Sequence, residues 1–145
     1  MYKHLLIATD GSDLALKAVE QGFALAKALG AKATAVFVTE SWVAKVPGEM
    51  VVGFPIDEYE KGCADNAKQV LGMVDELARR LEVSCETKHM PDQYPADGII
   101  SAAKTEECDL IVMASHGRRG LSRLLLGSQA NQVVTRSTVP VLIVR

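Results

Sequence analysis

Along the chain, short continuous apolar runs alternate with longer stretches whose apolar residues recur every three or four positions. The run Leu5-Leu6-Ile7-Ala8, within His4 to Thr9, predicts a first strand buried on both faces, as central parallel strands are. Ala15, Val19, Phe23 and Ala26 then repeat at helical spacing. Ser12 or Asp13 stands where an N-cap belongs, and Gly30 where a left-handed C-cap does. Thr34 to Thr39 predicts a second strand. Glu58 to Leu81 predicts the longest helix, with Tyr59, Cys63, Val70, Val74, Leu77 and Leu81 as its apolar stripe. Val83 to Lys88 alternates like a half-exposed strand at a sheet edge. Pro95 to Glu106 predicts a helix with Pro in its first turn, where the missing N–H is harmless. Leu110 to Met113 predicts a buried strand, Ser128 to Arg136 a last helix and Val139 to Val144 a last strand.

Five strands with four intervening helices imply βαβ crossovers and a parallel sheet covered on both faces. If the sheet is doubly wound, its ligand belongs outside the carboxyl ends of the strands, where the strand order reverses. One segment breaks the alternation. Glu40 to Asp57 holds Trp42, Val43, Val46, Met50, Val51, Val52 and Phe54 without a sustained period, interrupted by Pro47, Gly48, Gly53 and Pro55. A connection of that length reads as a lid, a contact surface or a loop folded back on the core.

Composition narrows the function classes. The 145 residues, 48% hydrophobic and 23% charged, fit one globular domain spanning residues 1–145. A net charge of −2 gives no drive toward nucleic acid, although Arg118, Arg119 and Arg123 form a local exception. Cys63, Cys85 and Cys108 are odd in number and lack the spacing of a disulfide framework or a zinc site, so they read as small hydrophobes. The apolar run after Met1-Tyr2-Lys3-His4 is too short for a signal peptide or a membrane span. A cytoplasmic protein with no membrane partner is expected.

Two places carry candidate chemistry. The first strand ends in Thr9-Asp10-Gly11-Ser12, where Asp10 can hydrogen-bond a ribose or base, or simply cap the helix. The fourth strand ends in Met113-Ala114-Ser115-His116-Gly117-Arg118-Arg119-Gly120, and Gly127-Ser128 opens the last helix. This reads as a phosphate cradle. Gly117 would admit close backbone approach and positive φ. The N–H groups of Ser128 and Gln129 would face an anion, which the helix dipole favours. The Ser128 hydroxyl would bind phosphate or cap the helix. The spacing is neither a Walker A loop nor a dinucleotide fingerprint. His116 lies in the same loop, and a lone His there reads first as structural.

The stretch from Ala114 to Gly117, nine residues, and then Gly127-Ser128 resembles the nucleotide signature of the universal stress protein family, G-x2-G-x9-G-[S/T]. Ile7-Ala8-Thr9-Asp10-Gly11-Ser12 and Val139-Pro140-Val141-Leu142-Ile143-Val144 are also similar to that family, so the resemblance spans the chain. It implies a Rossmann-like α/β fold of the adenine nucleotide α-hydrolase type, with a five-stranded parallel sheet in the order 3-2-1-4-5. It implies ATP, with Mg or Mn held mainly by the phosphates. By this resemblance Asp10 would touch the ribose–adenine end and Val38 would line the adenine pocket. Gly117, Gly127, Ser128 and Gln129 would hold the phosphates, and Thr9, Met113, Ala114, His116 and Arg118 would also be nucleotide-binding. One position departs: the first motif glycine is Ala114, which places ATP binding in question.

The resemblance implies a nucleotide-responsive regulator with an unidentified protein partner. It also implies a homodimer through the uncharged edge strand Val139 to Val144. An ATP-independent interaction protein of the same fold and a slow ATPase are the alternatives. No general base or arginine finger is assignable, so hydrolysis is expected to be absent or slow. A phospho-accepting receiver domain has similar alternation, but the first strand ends in one acidic residue and the fifth begins Val139-Pro140 with no lysine.

Overall fold

The computed structural model describes residues 1–48, 52–117 and 125–145. In chain order the elements are β1 (His4–Ala8), α1 (Asp13–Leu29), β2 (Lys32–Val38), a 3-10 turn (Trp42–Ala44), α2 (Ile56–Leu81), β3 (Cys85–Met90), α3 (Pro95–Thr105), β4 (Leu110–Ala114), α4 (Ser128–Arg136) and β5 (Val141–Val144). The strands form one five-stranded sheet in the order β3-β2-β1-β4-β5, every neighbouring pair parallel, as expected. The central strand β1 sets Leu5 opposite Ala33 and Leu110, and Ile7 opposite Ala35 and Val112.

Strand periodicity divides the apolar residues between two faces. Leu5, Ile7, Leu110 and Val112 pack with Val19, Phe23 and Ala26 of α1 and Val74 and Ala78 of α2. Leu6, Ala8, Ile111 and Met113 pack with Ile99 and Ala102 of α3 and Ala130 and Val133 of α4. Covering on both faces is why these strands read as unbroken apolar runs rather than alternations. His4 is buried within the sheet, its Nε2 2.8 Å from Thr34 Oγ1. The start of β1 is tied to the start of β4 by the Asp109 carboxylate, which accepts the N–H groups of Lys3 and His4 at 2.8 and 3.1 Å.

Three helices end alike. After α1, Gly30 turns left-handed at φ 64° and the Ala31 N–H bonds back to the Ala26 carbonyl. After α2, Glu82 does the same at φ 58°, with Val83 bonding to Ala78. After α3, Glu107 adopts φ 55° and Cys108 bonds to Ala103. Each time the next residue, Ala31, Val83 or Cys108, is apolar and buried, which is the Schellman arrangement. Val83 therefore closes a helix instead of opening a strand. The edge strand begins at Cys85, two residues later than the alternation suggests.

At the other edge, β5 begins at Val141 rather than Val139. Ser137 Oγ accepts the Val139 N–H and donates to the Val139 carbonyl, so this stretch is a turn. The second strand is Lys32–Val38, displaced from the expected Thr34 to Thr39. The two edges differ in chemistry. β3 carries Glu86, Thr87, Lys88 and His89, whereas β5 is Val-Leu-Ile-Val with Leu142 39% exposed.

Of the cysteines, Cys108 is buried and Cys63 and Cys85 are half-buried. Burial pushes the Cys85 thiol up to about 11 and the Cys108 thiol to about 12, so neither is a reactive thiolate. Among the described residues, no helix is long and apolar enough to cross a membrane.

Candidate functional site

The carboxyl ends of β1, β2 and β4 open into a cleft of about 630 Å³. It lies at the reversal of strand order, where β1 and β4 run side by side. Ten positions singled out from sequence line it: Thr9, Asp10, Val38, Met113, Ala114, His116, Gly117, Gly127, Ser128 and Gln129. Arg118 lies outside the described residues, as do Arg119 and Arg123.

The turn after β1 is built from short side chains. Thr9 Oγ1 accepts the Gly11 N–H at 3.2 Å, and Gly11 takes φ 79°, a conformation that glycine adopts without penalty. Ser12, not Asp10, caps α1, by accepting the Ala15 N–H. The Asp10 carboxylate instead accepts the Ser12 N–H at 2.9 Å through Oδ1 and presents its carboxylate to the cleft. A turn so constrained leaves that carboxylate little freedom.

The opposite wall is the β4 loop and the start of α4. Gly117 is required for space rather than for positive φ, which it does not adopt. A Cβ there would lie 2.5 Å from Asp10 Oδ2, so the two strand ends nearly touch across the crevice. Gly127 is also required for space. Its N–H donates to the Ser115 carbonyl at 2.7 Å, and an added Cβ would come within 2.9 Å of that oxygen and 3.1 Å of His116 Cα. Gly127, extended at φ −60° and ψ 156°, is itself the N-cap of α4, and no side chain caps the helix. Ser128 is thus the first helical residue and not the cap. The first-turn N–H groups of Ser128, Gln129 and Ala130, which no intrahelical carbonyl can accept, belong to residues of the cleft wall.

The side chain of Gln129 is engaged elsewhere. Its Oε1 accepts the Ala96 N–H at 3.0 Å, which caps α3, and Arg136 pairs with Asp97 at 2.7 Å to fix the two helices further. His116 Nδ1 lies 3.1 Å from Ser115 Oγ, a loop-holding contact of the kind a structural histidine makes. Ala114 ends β4 in strand conformation, without positive φ, so its departure from glycine carries no backbone cost. Its methyl packs into the core on the α1 side.

Glu40, Lys45, Asn66, Pro95 and Ile99 also line the cleft and were not identified from sequence. The first two belong to the irregular segment, whose described parts fold onto the cleft rim. Trp42 stacks on Phe54 with ring centroids 5.7 Å apart, Phe54 packs against Tyr59 at 6.0 Å, and the Tyr59 hydroxyl donates to the Glu40 carbonyl at 2.9 Å. Burial, with Cys63 and Glu40 nearby, pushes the Tyr59 phenol up to about 12, so it remains a donor. The clustered aromatic residues were the available signal; the helical period of Tyr59 hid its second role. Among the described residues, no group of three or more His, Cys, Asp or Glu side chains gathers to hold a metal.

The comparisons with known proteins point one way. The model of the universal stress protein family matches residues 1–145. The universal stress protein MJ0531 of Methanocaldococcus jannaschii is 34% identical, over 100% of this chain and 83% of its own. The universal stress protein YxiE of Bacillus subtilis is 34% identical over the whole of both chains. The solved structure of MJ0577 superposes with a TM-score of 0.85 at 26% identity, covering 99% of this chain and 96% of its own. A universal stress protein in complex with cAMP superposes at 0.72 and 23% identity, covering 99% and 97%. The protein from Archaeoglobus fulgidus in complex with dAMP superposes at 0.69 and 18%, covering 99% and 98%. On its sequence and its sheet order alike, this chain belongs to the universal stress protein family.

Proposed function

We propose that the cleft binds an adenine nucleotide, ATP in the first instance, and that the protein acts as a nucleotide-responsive regulator. One observation carries the reading. The first turn of α4, without a side-chain cap, faces the same crevice as the Asp10 carboxylate, so an anion site and a hydroxyl-binding site share one cleft. A helix N-terminus favours phosphate, and a carboxylate at the end of β1 favours a ribose hydroxyl. The cleft volume lies within the range of about 300–1,000 Å³ usual for small-molecule sites. The cAMP and dAMP complexes of two proteins of the same fold support the same ligand class.

In this reading Asp10 and Thr9 hold the ribose end and Val38 lines the base pocket, with Met113, Ala114 and His116 along the wall. The backbones at Gly117, Gly127, Ser128 and Gln129 take the phosphates, with Arg118 following Gly117. A divalent cation, Mg or Mn, would arrive on the phosphates. The chain's own role is to bind and orient: the cleft offers fixed donors and the restrained Asp10 carboxylate, and among the described residues no side chain is assigned as a general base for an attacking water. The β5 edge pairs two copies, and a further protein reads the bound state.

The test is mass spectrometry of nucleotide released from denatured, freshly purified protein, followed by calorimetric titration of stripped protein with ATP. Binding with one site per chain is expected. The absence of both co-purified nucleotide and ATP binding at millimolar concentration would refute the reading.

A further inference from the structure

Lys45 carries the ammonium that lines the cleft among the described residues, whose carboxylates are Asp10 and Glu40. Lys45 Nζ sits 3.0 Å from Glu40 Oε2, with the two side chains 31% and 24% exposed. The pair is thus partly shielded from water at the rim of the nucleotide cleft. Its mounting is stiff at one end and loose at the other. The Glu40 carbonyl is held by Tyr59, and the turn between the partners begins at Trp42, which stacks on Phe54. The lysine ammonium, by contrast, rides on a flexible four-carbon stem.

An anion entering this cleft adds negative charge beside two carboxylates. Among the described side chains, the Lys45 ammonium on the wall can compensate it, and it is held by a partly exposed ion pair, a contact of small net worth. We infer that Lys45 is a ligand-binding residue that exchanges Glu40 for an anionic group of the bound nucleotide, so that the cleft selects charged nucleotides over the neutral nucleoside. This rests on the nucleotide reading given above and adds a specificity residue to it. Glu40 then acts as a restraint: it holds the ammonium at the rim when no anion is present and competes with the ligand for it.

Calorimetry with adenosine, AMP and ATP on the wild type, Lys45→Met and Glu40→Gln separates the possibilities. Methionine keeps most of the apolar stem and removes the charge. Lys45→Met should weaken ATP by about tenfold and AMP by less, and leave adenosine unchanged. Glu40→Gln should tighten ATP by about threefold, because the competing carboxylate is gone. The ATP affinity lost in Lys45→Met should also shrink as salt is raised. Adenosine weakened as much as ATP in Lys45→Met would mean a structural role and overturn the inference, as would no gain of ATP affinity in Glu40→Gln. Wild type and Lys45→Met binding all three ligands alike would overturn it while leaving the nucleotide reading intact. A wild type that binds none of the three would overturn both.

Discussion

Two glycines of the cleft, replaced by alanine, should fail in different ways. At Gly127 the new methyl would meet the Ser115 carbonyl oxygen at 2.9 Å and His116 Cα at 3.1 Å, both backbone atoms of a loop whose Ser115 N–H is already bonded to Val144. Neither can step aside without moving the end of the sheet. Overpacking of this kind costs about 1–3 kcal/mol, and the hydrogen bond from Gly127 to Ser115 adds about 1 kcal/mol if it breaks. For a chain of this size the melting temperature should fall by roughly 3–10 °C. At Gly117 the methyl would meet Asp10 Oδ2 at 2.5 Å, a side-chain atom rather than backbone. Moving that carboxylate loses at least the contact from Asp10 Oδ1 to the Ser12 N–H, worth about 1 kcal/mol. The displaced carboxylate, however, could no longer meet the ribose hydroxyl that the proposed binding mode assigns to it. A charged hydrogen bond of about 1.5–3 kcal/mol corresponds to roughly ten- to a hundredfold in affinity. Gly127→Ala should therefore lose stability first, and Gly117→Ala affinity first. Thermal melts read by circular dichroism, beside ATP calorimetry, measure both axes. Gly127→Ala melting with the wild type, or Gly117→Ala losing more stability than Gly127→Ala, would refute the packing argument.

Stability should also depend on pH through His4. Burial, and then the nearby Lys32, hold its imidazole below the ordinary 6.5, and burial acts the same way on His89. The unfolded chain therefore binds more protons, so stability is full at about pH 7.5 and declines as pH falls through 6.5 toward the folded-state values. His4→Gln can keep the bond to Thr34 and should flatten the loss between about pH 7.5 and pH 5; an unchanged slope in denaturant titrations would exclude His4 as its source. Leu142→Lys, on the exposed side of β5, should leave the fold intact and shift a dimer to monomer in sedimentation velocity. Wild-type protein that stays monomeric at high micromolar concentration would sink the edge-pairing proposal.

Much of this was legible because burial on both faces writes itself into the chain as unbroken apolar runs. Leu5 to Ala8 and Leu110 to Met113 read as central strands, and Gly117 and Gly127-Ser128 do line one cleft. Helix ends were harder. Gly30 announced its left-handed turn, but Glu82 and Glu107 adopt the same conformation without glycine, and that shifted the start of the β3 edge. Gly117 reads from sequence as a place of close backbone approach and positive φ; the positive φ is not adopted, and its lack of a side chain makes room for Asp10, a residue distant in sequence. Glu40 and Lys45 were invisible because their places depend on Trp42, Phe54 and Tyr59 coming together across an aperiodic segment. Contacts that tertiary packing alone creates leave no period to read.

The unlike edges of the sheet also limit how it can grow. The β3 edge places charged Glu86 and Lys88 along its strand, which discourages a neighbouring strand, whereas β5 offers Val-Leu-Ile-Val. A filament needs two receptive sides on every molecule, so that each addition exposes a fresh one. Here one side is inhospitable. Two copies meeting β5 to β5 about a two-fold axis consume both apolar edges and leave only charged strands outermost. Growth of the sheet then terminates after a single addition. In the proposed pairing, the edge that would join two copies would also limit the assembly to two, even in a crowded solution where an apolar strand on both sides would seed aggregates.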